Sequence, residues 1–262
     1  MRKIGFTGKC PNGDITVLAD QISRLKEVCV PYTIPEYPSG RKWFSRFAKG
    51  IRYEDVGPEE KVIIQDDCKV DSLQVPLHET DVICGKKINK PELKILKDTL
   101  LDQEFDYSVH GELSVNLMDQ ENFYSHIEVL KRDIEVSSEI NATHLVTHFG
   151  HTTNNIYENK QLYLSYLKRQ QDGYAEMGEY AKKHNVTLAI ENLFPIGVNY
   201  YAPLPSEIGK QIKDINHPNV KCCLDISHGY INCTFRNVHF FDEIKKMAPY
   251  SEHMHMHDSF GI

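Results

Sequence analysis

Five residues able to bind a cation or move a proton, His110, His148, Glu191, Asp225 and His255, recur along the sequence at separations of 38, 43, 34 and 30 residues. Imidazole and carboxylate are good donors for Zn, Mn, Fe or Co. No cysteine occupies a matching position. The chemistry suggested is therefore that of a divalent first-row cation that polarises oxygen atoms, with a carboxylate or imidazole to move a proton. Other polar residues cluster near these five: His228 follows Asp225 by three in LDISHG, Asn192 follows Glu191, and His151 follows His148. Histidine as a whole is abundant, 13 in 262 residues, about twice ordinary usage.

Each of the five closes or nearly closes an apolar run of strand length. The runs are Lys3 to Thr7, Val70 to Pro76, Phe105 to His110, Thr143 to His148, Val186 to Glu191, Val220 to Asp225 and Ser251 to His257, rich in β-branched residues as strands are. Between them lie segments with helical periodicity. Ile15, Leu18, Ala19, Ile22 and Leu25 follow Asp14, a candidate N-cap, on one helix face. Further helices are expected near 121 to 139, 158 to 184, 205 to 214 and 238 to 248, with Asn185 as a stop. Strands and helices alternating at this spacing predict an α/β fold of the (β/α)8 TIM type, in which all five side chains meet at the C-terminal mouth. In SEHMHMHD the alternation puts His253, His255 and His257 on one side of the last strand and Met254 and Met256 on the other. Periodicity does not choose among the three histidines.

One connection is too long. Strands one and two start 67 residues apart, which leaves 31 to 69 as an insertion in an otherwise single domain spanning 1 to 262. Within it, Arg41 to Tyr53 interleaves five basic residues with Trp43, Phe44, Phe47 and Tyr53. Such a piece suits packing on the barrel rim, a lid, or a nucleic-acid or membrane contact.

Composition narrows the class. Charged residues make up 26% and hydrophobic ones 40%, with 15 Gly and 12 Pro, which excludes collagen-like and low-complexity chains. No apolar stretch approaches the ~20 residues of a membrane span, and MRKIGFTGKC has no apolar core of a signal peptide. Seven scattered cysteines without a CxxC pair predict free thiols and a cytoplasmic protein. On that reading the N-x-T sequons at Asn141, Asn185 and Asn232 are chance matches. The net charge of −7 argues against a general nucleic-acid footprint.

The pieces VHGELSVNL, with His110 and Asn116, THFGH with His148, AIEN with Glu191, LDISH with Asp225 and His228, and MHMHD with His255 and Asp258 resemble, in this order and spacing, the xylose-isomerase-like TIM barrels. That superfamily includes sugar phosphate isomerases and epimerases and the endonuclease IV class of abasic-site nucleases. The resemblance spans 105 to 258, and MRKIGFTGK looks like its first strand. It implies that Glu191, Asp225 and His255 bind a divalent metal such as Zn, Mn or Co. It further implies that His110, His148 and His228 either complete a multi-metal site, as in the nucleases, or line a sugar site together with Asn116 and Asn192. Glu191 and His148 are then the catalytic candidates.

Two departures stand out from the nuclease pattern: Phe149 where Pro is usual, and no Tyr ahead of Asn116 in HGELSVN. The leading expectation is thus a metal-dependent sugar or sugar-phosphate isomerase or epimerase working through an enediolate. The alternative is a zinc phosphodiesterase acting on abasic DNA. The expected partner is a small sugar, with nucleic acid only in the alternative, no membrane, and a homo-oligomer conceivable. The family carries a further carboxylate on an eighth strand. MHMHDSFGI ends within a few residues of strand seven, so a shortened chain with an incomplete site is expected, unless KVIIQ at 61 to 65 supplies the missing strand.

Overall fold

The computed structural model describes residues 5–27, 72–100, 103 and 105–257. Segment 31 to 69, with Arg41 to Tyr53 and KVIIQ, and Asp258 lie outside the described residues. Seven strands form one parallel sheet: β1 (Gly5–Thr7), β2 (Ser72–Pro76), β3 (Asp106–His110), β4 (His144–His148), β5 (Thr187–Glu191), β6 (Val220–Asp225) and β7 (Ser251–His255). They pair strictly in that order, each with the next, and every pairing is parallel. The sheet curls as a half-barrel with helices outside, the TIM-type architecture expected.

The seven expected strands therefore all form, and their ends match within three residues. Strict succession follows from the crossover helices, since a parallel neighbour needs a connection long enough to return to the same end. The two faces divide by alternation. Leu145, Leu188, Ile190, Cys222 and Leu224 are buried against the helix layer. Val146, Ala189 and Cys223 form a separate small cluster on the other face, which is the inside of the curl.

Among the described residues the helices of eight residues or more are α1 (Val17–Glu27), α2 (Lys90–Leu100), α3 (Phe123–Glu139), α4 (Lys160–Lys183), α5 (Pro205–Ile215), α6 (Ile226–Phe235) and α7 (Phe240–Met247). Five were legible as periodic segments. Asp14 does not cap α1 directly; its carboxylate accepts from the backbone and hydroxyl of Thr16, shaping the turn before the helix. Asn185 ends α4 as expected, at φ 57°, and Asn141 and Asn216 do the same after α3 and α5. Asn tolerates this left-handed conformation better than other side chains.

Two helices escaped the periodic reading. Helix α2 carries the signals, with Pro91 in its first turn and Leu93, Leu96 and Leu100 turned inward. Helix α6, ISHGYINCTF, is apolar nearly all round, so it shows no stripe. A short antiparallel pair joins Thr152–Thr153 to Tyr200–Tyr201, linking the loops that follow β4 and β5. Among the described residues no helix is long and apolar enough to cross a membrane.

Asp133 of α3 is fully buried below the turn that follows β3, where its carboxylate accepts from the backbone N–H of Glu112 at 3.3 Å. Burial, and then the charge of Glu112, push its carboxyl well above the usual value of 3.8 despite that hydrogen bond. Because the unfolded chain releases this proton at lower pH than the fold does, stability falls as pH rises above 3.8 towards the folded value. Asp133→Asn keeps the acceptor and removes the charge. Its thermal midpoint should exceed that of the wild type by a few degrees at neutral pH and converge with it below pH 3.8. Equal midpoints at every pH would refute this.

Candidate functional site

All strands being parallel, their C-terminal ends lie on one face, and the residues that end β3 to β7 converge there. Glu191 is the centre. Its side chain is 1% exposed, and four imidazoles surround it. His228 Nδ1 and His255 Nδ1 lie 3.1 and 3.2 Å from Oε1, while His110 Nε2 and His148 Nε2 lie 3.4 and 3.7 Å from Oε2. Oε2 nevertheless has no hydrogen-bond partner of proper geometry and is buried. An unpaired buried carboxylate oxygen is costly, and a cation would satisfy it.

Asp225, also 1% exposed, is the second carboxylate. Its Oδ1 accepts from the His228 backbone N–H at 2.7 Å and caps α6. Its Oδ2 faces His257 Nε2 at 3.0 Å, and His228 Nδ1 and His255 Nδ1 at 3.6 Å each. A strand-ending Asp that also caps the next helix thus has one oxygen committed to the fold and one directed at the mouth. The cap was the sequence signal for α6.

The electrostatics follow from this crowding. Burial works to raise the Glu191 carboxyl, but His110, His228 and His255 outweigh it and hold the group well below the usual carboxylate range. Burial works to lower His255 and His228, and the two carboxylates reverse this, so both are raised. His148 goes the other way: burial, with the charges of nearby histidines adding to it, overcomes the pull of Glu191 and lowers it to about 4.

Four groups of three donors lie with their ligating atoms within 4.8 Å of one another: His110, His148 and Glu191; Glu191, Asp225 and His255; Asp225, His228 and His257; and Cys223, His253 and His255. The first three overlap through Glu191 and Asp225. All six residues expected as ligands or histidine partners are present in them. His257, whose inward side was legible but not its role, joins them.

The amide candidates are placed differently. Asn192 is fully buried, and its side chain exchanges two 2.8 Å hydrogen bonds with the backbone of Asp225. It fixes the backbone of Asp225 and is itself 0% exposed. Asn116 accepts from the backbone of Met118 and His151 and donates to the carbonyl of His151, tying the β3 loop to the β4 loop. The His151 ring rests against Tyr200 at 5.8 Å.

Two residues at the mouth were not singled out by the sequence. The His78 ring stands edge-on to His110 at 4.9 Å, and Gln74 Nε2 lies 3.0 and 3.3 Å from Nε2 of His255 and His253. The PLH run after β2 offered the only hint for His78. For Gln74 the hint was a polar residue inside an apolar strand. Phe194 stands by His228, ring centroids 5.0 Å apart, an apolar wall beside the cluster.

The comparisons agree with this architecture. A D-tagatose 3-epimerase-like protein superposes with a TM-score of 0.59 at 20% identity over 73% of this chain and 69% of its own. Endonuclease IV from Thermus thermophilus gives 0.54 at 12% identity, over 98% of this chain and 77% of its own. A xylose isomerase-like TIM barrel protein from Mycobacterium smegmatis in complex with magnesium gives 0.58 at 15% identity, over 98% and 76%. At such identities the likeness is one of fold. No curated protein matches the sequence. The model of the xylose isomerase-like TIM barrel family matches residues 67–262, and the chain belongs to that family.

Proposed function

We propose that this protein is a metal-dependent enzyme that holds more than one divalent cation and hydrolyses a phosphoester. One observation carries the reading: three donor groups overlap, with Glu191 common to two and Asp225 common to two. A single cation needs one such group, whereas shared carboxylates are the means by which neighbouring cations are held close. The unpaired buried Oε2 of Glu191 fits a cation. Zn, Mn and Co suit the mixture of imidazole and carboxylate, and a related barrel is described with magnesium.

Divalent cations there would neutralise the phosphoryl oxygens and make water acidic enough to attack near neutral pH. The chain's own residues set the geometry. Asn192 holds the backbone of Asp225, and the capping bond to His228 N–H keeps the Asp225 carboxylate turned to the mouth. Tyr174 donates to the carbonyl of His148 at 2.8 Å and anchors the end of β4. Such partners of ligands typically contribute 10–100-fold to metal affinity, as an order of magnitude.

The second reading is the sugar isomerase or epimerase. It is favoured by Glu191, Asp225 and His255, which form a complete three-donor group on three successive strands, and by the Phe194 wall that suits the carbon face of a sugar. On this reading Glu191 moves the proton next to a carbonyl through an enediolate.

One assay separates the two. The protein is offered an abasic-site duplex, a small nitrophenyl phosphodiester, and a panel of ketoses, aldoses and their phosphates, with Mn, Co or Zn. Phosphoester cleavage that chelation abolishes is the expected result. Sugar interconversion without any cleavage would overturn the hydrolase reading in favour of the second.

A further inference from the structure

The inside of a TIM barrel is ordinarily packed with apolar layers, yet the layer below the mouth here is not. In it Cys223 of β6 stands in register with His253 of β7, two residues before the pair Asp225 and His255 at the mouth. Cys223 is fully buried with Val146 and Ala189, while His253 and His255 are part exposed. Their rings lie 5.4 Å apart, and the ligating atoms of all three residues fall within 4.8 Å. Across the curl, the Gln74 amide bridges both imidazoles and is itself held by the Thr7 hydroxyl, which donates to its Oε1 at 3.2 Å. None of Cys223, His253 and Gln74 has a part in the reading given above.

We propose that Cys223, His253 and His255 form a second kind of cation seat, one layer deeper than the mouth, selective for a thiophilic cation of the cadmium or copper(I) class. Thiolate and imidazole are soft to borderline donors and favour such cations over Mn or Mg. On binding, the Cys223 S–H bond breaks, its proton passes to solvent or buffer, and the sulfur lone pair forms the bond to the cation. No electron is transferred. A turn of the Gln74 amide, whose oxygen and nitrogen differ little in shape, would present a carbonyl oxygen as a fourth donor.

The two seats share His255. A neutral imidazole has one free lone pair, the other nitrogen carrying the proton. His255 therefore serves the mouth or the deeper seat at one time, and a thiophilic cation competes with the mouth's own cations. This competition rests on the proposal that the mouth cluster binds cations; the deeper seat itself does not.

Titration of the full chain with Cd2+ alone, followed by the ultraviolet thiolate-to-cadmium charge-transfer band, tests both parts. The band at saturation should have the intensity of one thiolate-to-cadmium bond per chain. Cys223→Ala should abolish it and His253→Ala should weaken binding at least about tenfold, whereas Cys222→Ala, on the outer face of β6, should keep it. Glu191→Gln, which cripples the mouth, should also keep it, so failure of the mouth reading and failure of the deeper seat are separately visible. Prior Mn2+ at saturation should weaken Cd2+ binding to the wild type at least about tenfold. Circular dichroism establishes that each variant is folded, and if Cys223→Ala is not, His253→Ala decides. No band, or a band indifferent to both substitutions, would overturn the seat. Cd2+ binding indifferent to Mn2+ would overturn the sharing of His255.

Discussion

Glu191→Gln loses the divalent cations and all turnover. Glu191 stands in two of the three overlapping donor groups at the mouth, so one substitution removes a negative ligand from both. Gln leaves a neutral amide in a place 1% exposed, crowded by four imidazoles of which His110 and His148 would have no carboxylate left beside them. Cation affinity should fall by more than the roughly 100-fold that loss of a ligand's supporting partner can cost, that is by more than about 2.7 kcal/mol. The fold should survive, because the apolar core lies between the strands and the outer helices, away from the mouth. The check is metal content after dialysis, with turnover measured beside it. Wild-type cation content in Glu191→Gln would sink the assignment, whichever reaction the protein performs.

Asn232→Ala produces a large loss of stability from a single buried polar side chain. Asn232 lies on α6, fully buried, and its amide donates to three backbone carbonyls, of Leu193 at 3.2 Å, Ala202 at 3.3 Å and Pro203 at 2.9 Å. These carbonyls bracket the loop from β5 to α5, which carries Phe194 beside His228. Alanine would strand them in a dry pocket, at a cost of about 2 to 4 kcal/mol. Denaturant unfolding measures that directly. The loop would also lose its anchor, so substrate binding should weaken more than cation binding does. A stability change under about 0.5 kcal/mol would mean that the loop is held by other contacts.

The two substitutions act on different links of one chain of cause. Glu191 is placed by a strand end and acts through charge; Asn232 is placed by a helix and acts through backbone carbonyls on a loop. Neither effect depends on the identity of the substrate. Both can be measured before any activity is found.

The alternation of apolar runs with helical periodicity was enough to specify the strands, because parallel strands buried on both faces need continuous apolar stretches that almost nothing else imitates. The same regularity put His110, His148, Glu191, Asp225 and His255 at strand ends, and in a parallel sheet all such ends share one face. Convergence at the mouth was therefore a property of the sequence read as a repeat. Helix α6 was hidden because its sides are alike in polarity, and periodicity registers only a difference between faces.

What only the tertiary structure decided is how donors divide into groups. Spacing says that His253, His255 and His257 share a side; it does not say that the middle one meets Glu191, the last Asp225, and the first Cys223. That depends on the stagger of β7 against β6, with its irregularity between Cys222 and Cys223, and on the curl that brings Gln74 of β2 to β7. Likewise Asn116 and Asn192 carry the right chemistry for a substrate, but their amides bond backbone groups, of Met118 and His151 for the first and of Asp225 for the second, and the longer of these pairings are set by the fold. Donor capacity is a property of the residue, whereas what it is spent on is settled by which neighbours the fold leaves unsatisfied.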